Sequence, residues 1–151
     1  MGQQQLLLLV LGVVIVGLAV VVGINAFSEN QKQANADAMV TDALRIASDI
    51  QAYAAKPDQF GGGGGWTAVS DSPGDLDFGD DLGYDENGDG DYENPNGTYA
   101  IGGSACSGPA GSVFVQGTND ELGNEVCIGI DGLSSSDIET DINYSYSSGG
   151  S

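Results

Sequence analysis

The sequence predicts an α+β chain in which a long N-terminal helix, membrane-apolar first and amphipathic later, packs on a small antiparallel β-sheet head. Three observations carry this. From Leu6 to Ile24 every residue is Leu, Val, Ile, Ala or Gly. No proline then interrupts the chain before Pro57, while apolar residues recur at helical spacing. Further along, three short β-type runs are separated by turn formers.

Residues 3–27 are expected to form an apolar helix of transmembrane length. The nineteen positions from Leu6 to Ile24 match a hydrocarbon core of about 30 Å at ~1.5 Å per residue. A cleaved secretory signal has a basic segment followed by ~7–15 apolar residues. Here the run is longer, and neither Lys nor Arg precedes it. N-myristoylation after Met-Gly is excluded, because Leu6 stands where Ser or Thr is required.

Residues 28–56 continue the helix, with Ala34, Ala36 and Ala38 keeping its propensity high. Met39, Ala43, Ile46, Ala47, Ile50, Tyr53 and Ala54 make one apolar face. Asp42, Arg45 and Asp49 lie off that stripe, with Arg45 and Asp49 at the i,i+4 distance of a weak helix-supporting pair. Pro57 ends the helix. Residues 57–97 read as a Gly/Asp-rich loop, in which the tract Gly61 to Gly65 is a flexible hinge and Trp66 an apolar anchor. Residues 98–151 are the β head. Its strands are expected at 98–101, 112–116 and 125–130, with Tyr144 and Tyr146 adding an edge strand, and one sheet face covers the helical stripe.

A head of about 90 residues is small for an active-site cleft. Its charge is extreme: 3 Lys+Arg stand against 22 Asp+Glu, for a net −19, and Lys32, Arg45 and Lys56 all precede Pro57. Such a surface repels phosphate backbones, which argues against nucleic acid as a partner. Self-repulsion on this scale is relieved in high salt, where the Debye length falls to about 3 Å at 1 M. A halophilic setting is the economical reading, and a solvated acidic surface in ordinary medium is the alternative. With no His in the chain, Cys106 and Cys127 lack the partners for a four-ligand zinc site. In an extracytoplasmic domain they form one disulfide; two free buried thiols is the other reading, since spacing does not show that the Cβ vectors meet.

The segment Asp85-Glu86-Asn87-Gly88-Asp89-Gly90-Asp91-Tyr92-Glu93 matches the opening of a calcium loop. Asp85, Asn87 and Asp89 stand at ligand positions 1, 3 and 5, Gly90 at the turn, and Asp91 at the carbonyl position. Position 12 falls on Asn96 rather than Glu, so Glu93 or another acid would have to close the site. Ca²⁺ binding and a solvated acidic turn both remain open. Catalysis finds no support: there is no His, no P-loop, and no nucleophile or dinucleotide motif. The carboxylates are many, yet none has the apolar surroundings that tune one for acid–base work. The chain reads as a non-enzyme.

A membrane-apolar N-terminus that runs unbroken into an amphipathic helix, then a loop, then a small antiparallel sheet, resembles type IV pilins and pseudopilins. The start Met-Gly-Gln-Gln-Gln-Leu-Leu is similar to that of their short-leader members. The resemblance implies a leader of residues 1–2, cut after Gly2 by a prepilin peptidase, so that Gln3 becomes a methylated N-terminus. It also implies insertion in the membrane before assembly, pilus assembly machinery in the inner membrane as a partner, and a place in an extracellular filament. Leu7 stands where the commonest bacterial pilins carry glutamate. The function implied is the structural subunit of a homopolymeric filament. The alternatives are a minor pseudopilin of a secretion apparatus and a monomeric membrane-anchored acidic surface protein, with or without calcium. Apart from the family, helices that leave lipid for a filament must approach one another closely, and small residues allow it. Gly12, Gly17, Ala19 and Gly23 are the candidates.

Overall fold

The computed structural model describes residues 2–102, 106 and 111–143. The first element is the helix α1, Gly2–Ala55. A short helix α2, Trp66–Asp71, follows, and then five strands: β1 Tyr92–Asn94, β2 Gly97–Gly102, β3 Val113–Asn119, β4 Asn124–Ile130 and β5 Ile138–Asn143. The strands form one antiparallel meander in sequential order. The chain divides after Ala34 into two units.

In the second unit, residues 35–55 of α1 lie on the sheet. Ala36, Met39, Ala43, Ile46, Ala47, Ile50 and Ala54 are buried, which is the expected stripe with Ala36 added and Tyr53 half-buried. Opposite them the sheet offers Tyr99, Val113, Val115, Val126, Ile128 and Ile130, all without exposure. The alternation is that of half-buried strands: Val115 pairs with Ile128 on the helix-facing side, and Gln116 with Cys127 on the other. Full burial of each large aliphatic or aromatic side chain stabilises by roughly 1.5–3 kcal/mol. The small Ala43, Ala47 and Ala54 on the same stripe bring the helix axis close to the sheet. Tyr99 pairs with Gly117, and a Cβ there would come within 2.9 Å of the Tyr99 ring, so glycine makes room for the aromatic.

Three sequence expectations need correction. The tract Gly61 to Gly65 is no hinge. Gly63 N donates to Tyr53 O at 2.9 Å and Gly64 N to Lys56 O at 3.0 Å, which satisfies carbonyls that the end of α1 leaves open. Gly61 and Gly64 adopt φ +72°, and a Cβ on Gly63 would sit 2.4 Å from the Val69 side chain. The tract is glycine for conformation and closeness. Second, the loop assigned to residues 57–97 contains α2, with Val69 buried, together with the core residue Phe78 and the strand β1. Third, β5 was not expected, although Ile138, Thr140 and Ile142 pair with the inward residues Ile130, Ile128 and Val126. The edge strand expected at Tyr144 and Tyr146 lies outside the described residues.

Candidate functional site

Two surfaces carry the candidate residues, one in each unit. In the first, every residue from Gly2 to Gln31 is exposed. The large aliphatics are bare, from 52% exposure at Leu11 to 71% at Leu7. The helix is long and apolar enough to cross a membrane, which is compatible with membrane insertion. At about 100° per residue, Gly12, Ala19 and Gly23 fall within about 20° of one line, whereas Gly17 lies about 140° round from Gly12. A Cβ at Gly12, Gly17 or Gly23 would meet nothing within 4 Å. The chain's own packing therefore does not require these glycines, each of which costs a helix interior about 0.5–1 kcal/mol relative to Ala. Gln3, Leu6, Leu7, Val10, Leu11 and Val14 line a shallow groove along the helix, the kind of depression into which the ridge of a second helix fits. Gly2 and Gln3, the expected processing pair, stand exposed in the first turn of α1; Met1 lies outside the described residues.

In the second unit, polar side chains fasten the helix to the strand turns. Asp42 Oδ2 accepts from Asn94 Nδ2 at 2.9 Å, Asn96 Nδ2 at 2.7 Å and the Tyr99 hydroxyl at 3.2 Å. Asn35 Nδ2 donates to Asn96 O at 2.9 Å, and Asn119 Nδ2 donates to the same carbonyl at 2.8 Å. Asn124 Nδ2 donates to Asn35 Oδ1 at 2.9 Å. One turn of the sheet is thus gripped by two helix residues and by the neighbouring turn. Sequence reasoning missed this group, because Asp42 off the apolar stripe reads as a solvated charge. The asparagines gave the only signal, as their spacing marks turns on both sides of β2 and β3.

The expected Arg45–Asp49 pair does not form. Asp49 Oδ2 instead accepts the Tyr84 hydroxyl at 2.5 Å, and the Arg45 guanidinium lies 5.7 Å from the centre of the Tyr84 ring, within cation–π range. Tyr53 likewise donates to Asp81 Oδ1 at 2.8 Å. Tyr84 and Tyr99 titrate well above the ordinary tyrosine value: burial is the larger cause for both, followed by the hydrogen bond to Asp49 and by the charge of Asp42 respectively. A hydroxyl whose folded pKa is raised stabilises the fold fully below the unfolded value, about 10, and that stability is lost as pH rises through the folded value. The head is therefore expected to weaken from about pH 10 upward. Denaturant midpoints across that range test this, and Tyr84→Phe should flatten the slope.

The candidate calcium residues form an Asx turn. Asn87 Oδ1 accepts from Asp89 N at 2.9 Å and Asp91 N at 3.1 Å, and Asn87 N donates to Asp91 O at 2.8 Å. The oxygen expected at ligand position 3 and the carbonyl expected at position 7 already serve the turn. Asp85, Asp89 and Glu93 are exposed. Burial, and after it the charge of Asp89, raises the Asp91 pKa. Asn96, at the closing position, is held by Asp42 instead. Among the described residues, no three His, Cys, Asp or Glu side chains come together to hold a metal ion. We expect the full chain in detergent to melt at the same temperature in Ca²⁺ and in chelator, and a rise confined to Ca²⁺ would identify an ion site.

Cys106 and Cys127 form the disulfide, with their Cα atoms 5.8 Å apart. Cys127 sits on the sheet face turned away from the helix, opposite Gln116. Closing a loop across 21 residues restricts the unfolded chain by about 3 kcal/mol in the chain-entropy account. Comparison with protein-family models, with curated proteins and with solved structures finds no match.

Proposed function

We propose that this chain is the structural subunit of an extracellular type IV pilin-like filament that polymerises through residues 3–27 of α1. One observation carries it: a run of bare apolar side chains from Leu6 to Ile24, with Phe27 just beyond, continued by a helical segment that holds a folded head. Lipid covers such a run before assembly, and copies of the same helix cover it afterwards. An anchor needs only length and hydropathy. A polymer also needs close approach, for which Gly12, Ala19 and Gly23 on one line are suited. In this reading prepilin peptidase cuts after Gly2, assembly machinery in the inner membrane extracts the subunit, and the chain performs no catalysis. The acidic head then faces the medium, where its charge keeps filaments apart.

Electron microscopy of material sheared from the native cells tests the reading. Filaments with a helical repeat built from this chain are the expected result. Intact mass should show loss of Met1-Gly2, N-methylation of Gln3 and the disulfide together. A chain found only as monomers in the membrane fraction would leave the anchored surface protein in its place.

A further inference from the structure

Two of the asparagines begin the acceptor pattern for N-linked sugar, Asn-X-Ser/Thr with X not proline. They are Asn96-Gly97-Thr98 and Asn143-Tyr144-Ser145. The structure treats them oppositely. Asn96 is locked: its Nδ2 donates to Asp42 Oδ2 at 2.7 Å, an oxygen that also takes Asn94 Nδ2 and the Tyr99 hydroxyl. Its carbonyl accepts from Asn35 and Asn119, and its N–H donates to Asn94 Oδ1 at 2.8 Å. A sugar on that amide would have to stand where helix and sheet turns converge. Asn143 is the last residue of β5, an edge strand of the sheet, and is exposed. Its side chain lies on the face shared with Glu125, its register partner, to whose Oε2 its Nδ2 donates at 3.5 Å. An amide bearing a sugar keeps one N–H, which leaves a donor for a contact of this kind.

We propose that Asn143 is an N-glycosylation site of this protein and that Asn96 is not. The proposal rests on the reading that the head is extracytoplasmic. The donor is an oligosaccharide carried on a polyprenyl phosphate or diphosphate. Asn143 Nδ2 forms a bond to the anomeric carbon as the bond from that carbon to the lipid phosphate oxygen breaks. The lipid phosphate leaves with the electron pair, and the proton lost from the amide passes to a base of the transferase. β5 is the last strand in the sheet order, so a glycan at its end also stands beside a sheet edge, the kind of surface that natural sheets cover against association.

The test is peptide mass mapping of the full chain purified from its native cells, alongside protease added to intact cells. Sugar mass is expected on the peptide containing Asn143, absent from the peptide containing Asn96. It should be lost completely in Asn143→Gln and in Ser145→Ala, the latter leaving Asn143 in place. Sugar on Asn96 would overturn the assignment. Unmodified Asn143 in a head that external protease reaches overturns the proposal and leaves the extracytoplasmic reading standing. A head that protease cannot reach in intact cells overturns both.

Discussion

Asp42→Ala is expected to lower the stability of the head by about 3 kcal/mol, the largest effect of any exposed or half-buried single substitution in it. One carboxylate oxygen takes three donors, from Asn94, Asn96 and Tyr99. Bonds to an ionised acceptor are roughly twice as strong as neutral ones. The Tyr99 ring has no exposure, so its hydroxyl would be left near the core with its acceptor gone, at about 1–3 kcal/mol. The two asparagine amides are half-buried and recover part of their loss in water. The effect reaches beyond the pair contacts because Asn94 ends β1 and Asn96 lies in the β1–β2 turn, where Asn94 Oδ1 accepts from Asn96 N and Gly97 N. Urea unfolding of the full chain in detergent, followed by the fluorescence of Trp66, measures this. Asp42→Asn should fall between wild type and Asp42→Ala, and Tyr99→Phe should cost about 1 kcal/mol by removing one donor. Wild-type stability in Asp42→Ala would show that the turn is held by its own backbone alone.

How legible these features were depended on how local their causes are. The helix could be read because its two signals, an unbroken apolar run and then the stripe from Met39 to Ala54, are written in consecutive residues. β2, β3 and β4 were found within three residues at each end, since Val113 to Val115 and Val126 to Ile130 are dense in β-branched residues. β1 escaped because three residues, Tyr92–Asn94, become a strand only by pairing with β2. The alternation Ile138, Thr140, Ile142 of β5 was present, but two isoleucines set among acids are a thin period-two signal. The glycine tract misled for a physical reason: composition reports what glycine permits, and only the neighbours Tyr53, Lys56 and Val69 show that it is held. At the candidate sites, residue types pointed to the Cys106–Cys127 bridge, which the structure contains. They pointed as readily to a calcium loop in which the structure uses Asn87 to close a turn. The Asp42 group showed in the sequence only as turn-forming asparagines, because the side chains it joins lie up to 89 residues apart.

Gly12→Leu combined with Gly23→Leu is expected to abolish filaments while membrane insertion and the folded head persist. In the chain by itself, a Cβ at either position meets nothing within 4 Å, and Leu is a better helix former than Gly by most of a kcal/mol, roughly 0.8. Any loss must therefore come from another molecule. Overpacking a close contact costs about 1–3 kcal/mol per site. Two sites at about 2 kcal/mol each raise the concentration needed for assembly about a thousandfold, at tenfold per 1.4 kcal/mol. The geometry sharpens the test. Gly12, Ala19 and Gly23 lie along one line of the helix, so Ala19→Leu should act like the glycine substitutions. Gly17→Leu, about 140° away at 3.6 residues per turn, should be tolerated better. The readouts are filament length and number in micrographs of sheared material, set against the amount of subunit in the membrane fraction. Normal filaments from the double variant, with subunit levels unchanged, would mean that the small residues are only the ordinary composition of a membrane helix. Loss of the subunit from the membrane as well would place the defect in insertion, against the close-approach account.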